Sequence, residues 1–204
     1  MHNHIVLLKE NILKEIDDFC EIKEEIKSPR ENMIVKVERK SSNAMYHALN
    51  ETNNEHSRIS FLKNDRFPDS IFISVETDGN ISCHICELKR TPSNKLKELT
   101  EQLFSGYMHC KLLMSALHVN PSKINFKYHV FLINERNMEI EYNRLPKRPK
   151  KIIPGRRLEK ESRYDMWMNN HLTFNDGKFS HRMAIEKHKY YENKESEYYY
   201  RFTL

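Results

Sequence analysis

At 204 residues, with 38% hydrophobic and 31% charged side chains, the chain suits one domain that buries a full core without covalent staples. Its four cysteines, Cys20, Cys83, Cys86 and Cys110, lack framework spacing, and the longest early apolar run, Ile5-Val6-Leu7-Leu8, is too short for a signal peptide or a membrane span. These features argue against a disulfide-built secreted module and against a membrane partner, and they predict a cytoplasmic protein with a formal net charge of +5.

Periodicity begins in residues 5–26, where Ile5, Leu8, Ile12, Ile16, Phe19, Ile22 and Ile26 fall at three- and four-residue steps among acids and lysines. That spacing predicts an amphipathic helix, closed by Ser28-Pro29. Met33 to Glu38 reads as a short strand. Residues 41–64 read as polar and irregular, with a helical turn around 44–49. Residues 70–76 and 81–86 then read as two antiparallel strands joined by Thr77-Asp78-Gly79-Asn80. A second helix is predicted from Pro92-Ser93-Asn94 to about His118, its stripe formed by Leu96, Leu99, Leu103, Tyr107, Cys110, Met114 and Leu117. Gly106 interrupts this helix at a cost of about 1 kcal/mol against alanine, which marks a close backbone approach. Residues 126–133 read as a buried strand. The order α-β-β-β-α-β predicts an α/β or α+β fold, a central mixed sheet flanked by helices.

Two short strings carry the chemistry. Pro68-Asp69 opens the first strand of the hairpin, and Glu87-Leu88-Lys89 closes the second. Strand side chains alternate, so Glu87 and Lys89 project to one face and Leu88 to the other, while Asp69 shares a face with Ile71, Ile73 and Val75. The hairpin can therefore bring Asp69 beside Glu87 at one end of the sheet. Two carboxylates suit a hard divalent cation such as Mg²⁺, and a neighbouring lysine adds positive charge where a phosphoryl transition state gathers negative charge. Cys83-His84-Ile85-Cys86 is embedded in a strand, where residues three apart face opposite ways, so both cysteines read as structural. His109, His129 and His171 show no ligand spacing.

The paired signatures Pro68-Asp69 and Glu87-Leu88-Lys89 resemble the PD-(D/E)xK nuclease superfamily, and the element order resembles its restriction-endonuclease-like core. The resemblance implies that Asp69 and Glu87, with the carbonyl of Leu88, hold Mg²⁺, for which Mn²⁺ substitutes, and that Lys89 orients the attacking water. Several branches of that superfamily carry a glutamine and a tyrosine on the following helix. Here Gln102 and Tyr107 are five residues apart, which turns a helix by about 500° and separates the two side chains by roughly 140°, so Gln102 is the site candidate and Tyr107 a core residue. An additional acidic ligand falls among Glu21, Glu24, Glu25 and Glu38, with Glu38 or Glu21 favoured and Glu38 retained.

The positive charge is concentrated at the end of the chain, where residues 145–204 hold 14 basic and 8 acidic side chains. Lys147, Arg148, Lys150, Lys151, Arg156 and Arg157 lie in a segment punctuated by prolines, which suits contact with a phosphate backbone. The aromatic residues beyond it suit a core cap, a dimer or protein-partner surface, or base stacking, and Asn175-Asp176-Gly177-Lys178 reads as a turn. The expected organisation is a nuclease core at 1–144 and a basic, aromatic extension packed on it at 145–204. The expected function is metal-dependent hydrolysis of DNA phosphodiester bonds. The competing expectation is a catalytically silent nuclease-fold scaffold serving immunity, defence or nucleic-acid binding.

Overall fold

The computed structural model describes residues 13–24, 32–48, 67–90, 95–133, 162–192 and 198–204. The strands are β1 (Leu13–Ile16), β2 (Phe19–Glu24), β3 (Met33–Glu38), β4 (Ala44–Ala48), β5 (Ser70–Val75) and β6 (Ile81–Lys89), followed by helix α1 (Leu96–Ala116) and β7 (Ile124–Leu132). Helix α2 (Arg163–Met168) precedes β8 (His171–Asn175), β9 (Ser180–Lys189), β10 (Tyr191–Glu192) and β11 (Tyr198–Thr203). The protein is mixed α/β: a seven-stranded sheet in the order β1-β4-β5-β6-β7-β9-β8 and a four-stranded sheet in the order β10-β11-β3-β2.

The middle of the large sheet follows from local sequence. Gly79 takes φ +80°, Asn80 donates its backbone N–H to Asp78 Oδ1 at 2.9 Å, and this turn sets β5 antiparallel to β6 with Ser70 opposite Cys86. From the end of β6 the chain enters α1 and returns as β7, parallel to β6. A parallel pair needs such a crossover, so α1 runs back along β6. Gly106 sits at the tightest point: a Cβ there would lie 2.6 Å from Ile85 Cγ2 and 2.9 Å from Pro68 Cγ. The close approach read from this glycine is observed.

Both faces of the large sheet are covered. Ile71, Ile73, Cys83 and Ile85 face the α1 side, together with Leu99, Leu103, Val130 and the fully buried Trp167. Phe72, Cys86, Leu88 and Phe131 face the other side, against Ile22, Met33, Val35 and Val37 of the small sheet. All nine residues of β6 are buried, as a central strand between two layers requires. The cysteines are free, with Cys83 in one core and Cys86 in the other, as strand alternation predicts.

Two expectations are corrected. Residues 13–24 form strands, not the middle of a helix; the rest of the expected 5–26 helix lies outside the described residues. In β1 the reason is that Leu13 and Ile16, three apart, point oppositely on a strand and each enters a different core, a spacing that a helix shares. β2 lies at the edge of the small sheet with Ile22 as its one buried residue, and antiparallel pairing with β3 decides its state. Residues 44–48 form β4 where a helical turn was expected, because pairing to β1 and β5 overrides the helix preference of alanine and methionine. The antiparallel run before α1 is therefore β4-β5-β6, while β3 belongs to the small sheet.

Residues after 161 are built into both sheets. β9 pairs in parallel with β7, and β11 in parallel with β3. Trp167 and Tyr190 are buried, so this aromatic end closes the core. Ser162 and Asp165 form a reciprocal cap on α2. The expected turn at 175–178 joins β8 to β9, with Gly177 at φ +93°. Among the described residues, no helix is long and apolar enough to cross a membrane.

Candidate metal and phosphodiester site

Asp69 precedes β5 and Glu87 and Lys89 end β6, so all three gather at one end of the hairpin. The two acids are interlocked through the backbone. Asp69 N–H donates to Glu87 Oε2 at 3.1 Å, and Leu88 N–H donates to Asp69 Oδ2 at 2.6 Å. Lys89 Nζ meets Glu87 Oε1. Glu87 is fully buried and Lys89 nearly so, whereas Asp69 is exposed. The adjacency expected from strand alternation is present, and so is a close Glu87–Lys89 contact.

This crowding raises the proton affinity of every acid in the cluster. Burial first, and then the Asp69 charge, push Glu87 up to about 8 against the pull of Lys89. Asp69 is also raised: the residue as a whole is exposed, but its carboxyl turns in to the Leu88 N–H and is desolvated there, although that N–H and Lys89 oppose the shift. Burial works to lower Lys89, but Glu87, Asp69 and Glu24 outweigh it and raise it. The cluster therefore holds a proton at neutral pH that a bound cation would displace.

Glu24, at the end of β2, is the third acid. Burial and then the Asp69 charge raise its pKa, while Lys89 and Lys95 lower it. Glu38 is corrected as the additional ligand. β2 and β3 run antiparallel with Glu24 opposite Met33, so Glu38 stands at the far end of β3, about 17 Å along the strand at 3.3 Å per residue. There it pairs with Lys36 at 3.1 Å and Arg201 at 3.4 Å. Glu21 is exposed and pairs with Lys23.

Gln102 lies one helical turn before Gly106. Because α1 runs back along β6, that turn, about 6 Å, carries it from the level of Ile85 to that of Glu87. Its Oε1 is buried and has no hydrogen-bond partner among the described residues, and the same holds for Glu24 Oε2 and Tyr190 Oη. The orphaned oxygens of Glu24 and Tyr190, whose groups both sense the Asp69 charge, fit a hard cation or its waters, because an unpaired buried oxygen is otherwise costly. Tyr107 is buried in the helix-side core. Lys147, Arg148, Lys150, Lys151, Arg156 and Arg157 lie outside the described residues.

Sequence spacing gave no sign of a row of histidines on the opposite face. His84 Nδ1 contacts His129 Nε2 at 3.0 Å, and His129 Nδ1 contacts His188 Nε2 at 3.1 Å. Ser74 and Tyr200 close the two ends, at 3.2 and 3.3 Å. Burial holds His84 down to about 3 and His188 to about 4. These partners come from β5, β6, β7, β9 and β11, so no local motif could reveal them. Neither protein-family models, nor curated proteins, nor solved structures yielded a match to this chain.

Proposed function

We propose that the chain is a metal-dependent nuclease built on a restriction-endonuclease-like core. The observation that carries this reading is the interlock of Asp69 and Glu87 at the shared end of β5 and β6, with Lys89 against them. The antiparallel β4-β5-β6 run, the α1 crossover and parallel β7 support the core assignment. Asp69, Glu87, the Leu88 carbonyl and Glu24 are the oxygen donors for Mg²⁺ or Mn²⁺, which would supply Lewis-acid activation at a phosphodiester. Lys89, released from Glu87 when the carboxylates are otherwise engaged, steadies the attacking water and the charge that develops on phosphorus. Gln102 orients water or substrate from α1, and the basic segment from Lys147 to Arg157 holds the DNA backbone.

Incubation of the purified chain with plasmid and single-stranded DNA in Mg²⁺ or Mn²⁺ tests this reading, with Asp69→Ala as the inactive control. Cleavage that persists unchanged in Asp69→Ala would refute it. A second reading, the catalytically silent scaffold, is favoured by one observation: Lys89 Nζ already lies against Glu87 Oε1, so the two groups engage each other. It expects no cleavage and no metal-dependent change in melting temperature attributable to Asp69.

A further inference from the structure

The histidine row carries a second site, on the sheet face opposite α1. His129 is buried on β7, and Glu186 and His188 alternate onto the same face of the neighbouring β9, paired in register. One donor atom from each of these three residues lies within 4.8 Å of the others. His129 Nδ1 is the centre of the group, 3.1 Å from His188 Nε2 and 3.4 Å from Glu186 Oε2. Two zinc–ligand bonds of about 2.0–2.1 Å at the tetrahedral angle span about 3.4 Å. The two edges from His129 are therefore already close to those of a metal tetrahedron, and the third, between Glu186 and His188, lies within 4.8 Å.

We propose that His129, Glu186 and His188 bind one divalent transition-metal ion of the zinc class, which clamps β7 to β9. Two imidazole nitrogens and one carboxylate select Zn²⁺ or Co²⁺ over Mg²⁺ or Ca²⁺. The ion takes the place of the proton shared from His129 Nδ1 to His188 and Glu186. Every displaced proton has a destination within the row. His129 becomes protonated on Nε2 and donates to His84 Nδ1, and His84 in turn donates from Nε2 to Ser74 Oγ. His188 donates from Nδ1 to Tyr200 Oη, which ties the small sheet to the clamp. These are the outer partners that orient metal-bound imidazoles. Phe131 and Phe202 pack on the rings, and the Glu186 side chain is 58% exposed, leaving an entry for the ion.

The test uses the full chain after chelator treatment, titrated with Co²⁺ and Zn²⁺ and, separately, with Mg²⁺. The expected result is one tetrahedral Co²⁺ per chain, read from its strong visible absorption in excess Mg²⁺ and displaced by Zn²⁺. Glu186→Gln, at an exposed position, should weaken binding at least tenfold without loss of fold. Tyr200→Phe should weaken it roughly tenfold by removing an outer partner. Asp69→Ala should leave the tetrahedral cobalt spectrum and its midpoint unchanged, which separates this site from the nuclease reading. Absence of the tetrahedral spectrum, or equal Co²⁺ affinity in wild type and Glu186→Gln, would overturn the proposal and leave a hydrogen-bonded relay.

Discussion

At the scale of single residues, Asp69, Glu87 and Lys89 divide binding from chemistry. Asp69→Ala removes one of the crowded acids and relieves its repulsion of Glu87, so the protein should stay folded while cleavage falls to background, as a gel assay would show. Lys89→Ala should lower turnover by about a hundredfold or more, typical of losing one electrostatic or acid-base group, with DNA affinity retained. Glu87 is able to keep a proton in that variant, so the buried carboxyl need not unfold the sheet. Because burial and Asp69 hold Glu87 near 8, the deprotonated acid needed for a metal grows as pH rises. The rate at subsaturating Mg²⁺ should climb about tenfold per pH unit below about 8 and level above it. A profile that falls over this range would contradict the assignment of Glu87.

At the scale of elements, the seat of α1 on β6 governs the site. Alanine at position 106 gains about 1 kcal/mol of helix propensity, but its Cβ would overlap Ile85 and the Pro68 ring. Overpacking of this kind costs about 1–3 kcal/mol. Gly106→Ala should therefore not stabilise the protein as an exposed helical substitution would; its melting temperature should stay level or fall by several degrees. Since Pro68 adjoins Asp69, activity should fall further than stability. Calorimetry together with the cleavage assay checks both.

For the whole molecule, buried titratable groups on the two faces of the sheet oppose each other in their dependence on pH. His47, His84 and His188 sit near 4, 3 and 4, lowered chiefly by burial. The unfolded chain binds protons on them from about 6.5 downward while the folded chain does not, so stability present above about 6.5 is lost as pH falls toward 4. Glu87 acts in the reverse sense. Its folded pKa is raised, so the protein gains stability as pH falls through about 8. Melting temperature in chelator should therefore peak between about 6.5 and 8 and drop by several degrees by pH 5. A monotonic rise toward pH 5 would show that the histidines are not buried in their neutral form. The basic segment offers a separate test. Alanine at Lys147, Arg148, Lys150 and Lys151 should weaken duplex binding and flatten its salt dependence, each lost phosphate contact removing about 0.9 from the log–log slope.

What was legible in the sequence lay within short reach along the chain. The Asp78-Gly79 turn, the run of β-formers on either side and the apolar stripe of α1 act over a few residues, so β5, β6, α1 and β7 could be read, and with them the meeting of Asp69 and Glu87. Gly106 was legible for the same reason, since a mid-helix glycine has a local cost. Tertiary structure alone decided the state of residues 13–24 and 44–48, because the pairings of β1 with β4, β2 with β3 and β4 with β5 are long-range, and Leu13 and Ile16 enter different cores. It also decided that Glu24, not Glu38, is the acid that senses Asp69, since strand direction in the small sheet determines which end of β3 faces the site. The histidine row required it most. Its links join residues 45 and 59 positions apart, and only the parallel pairing of β6, β7 and β9 brings those side chains within hydrogen-bonding reach.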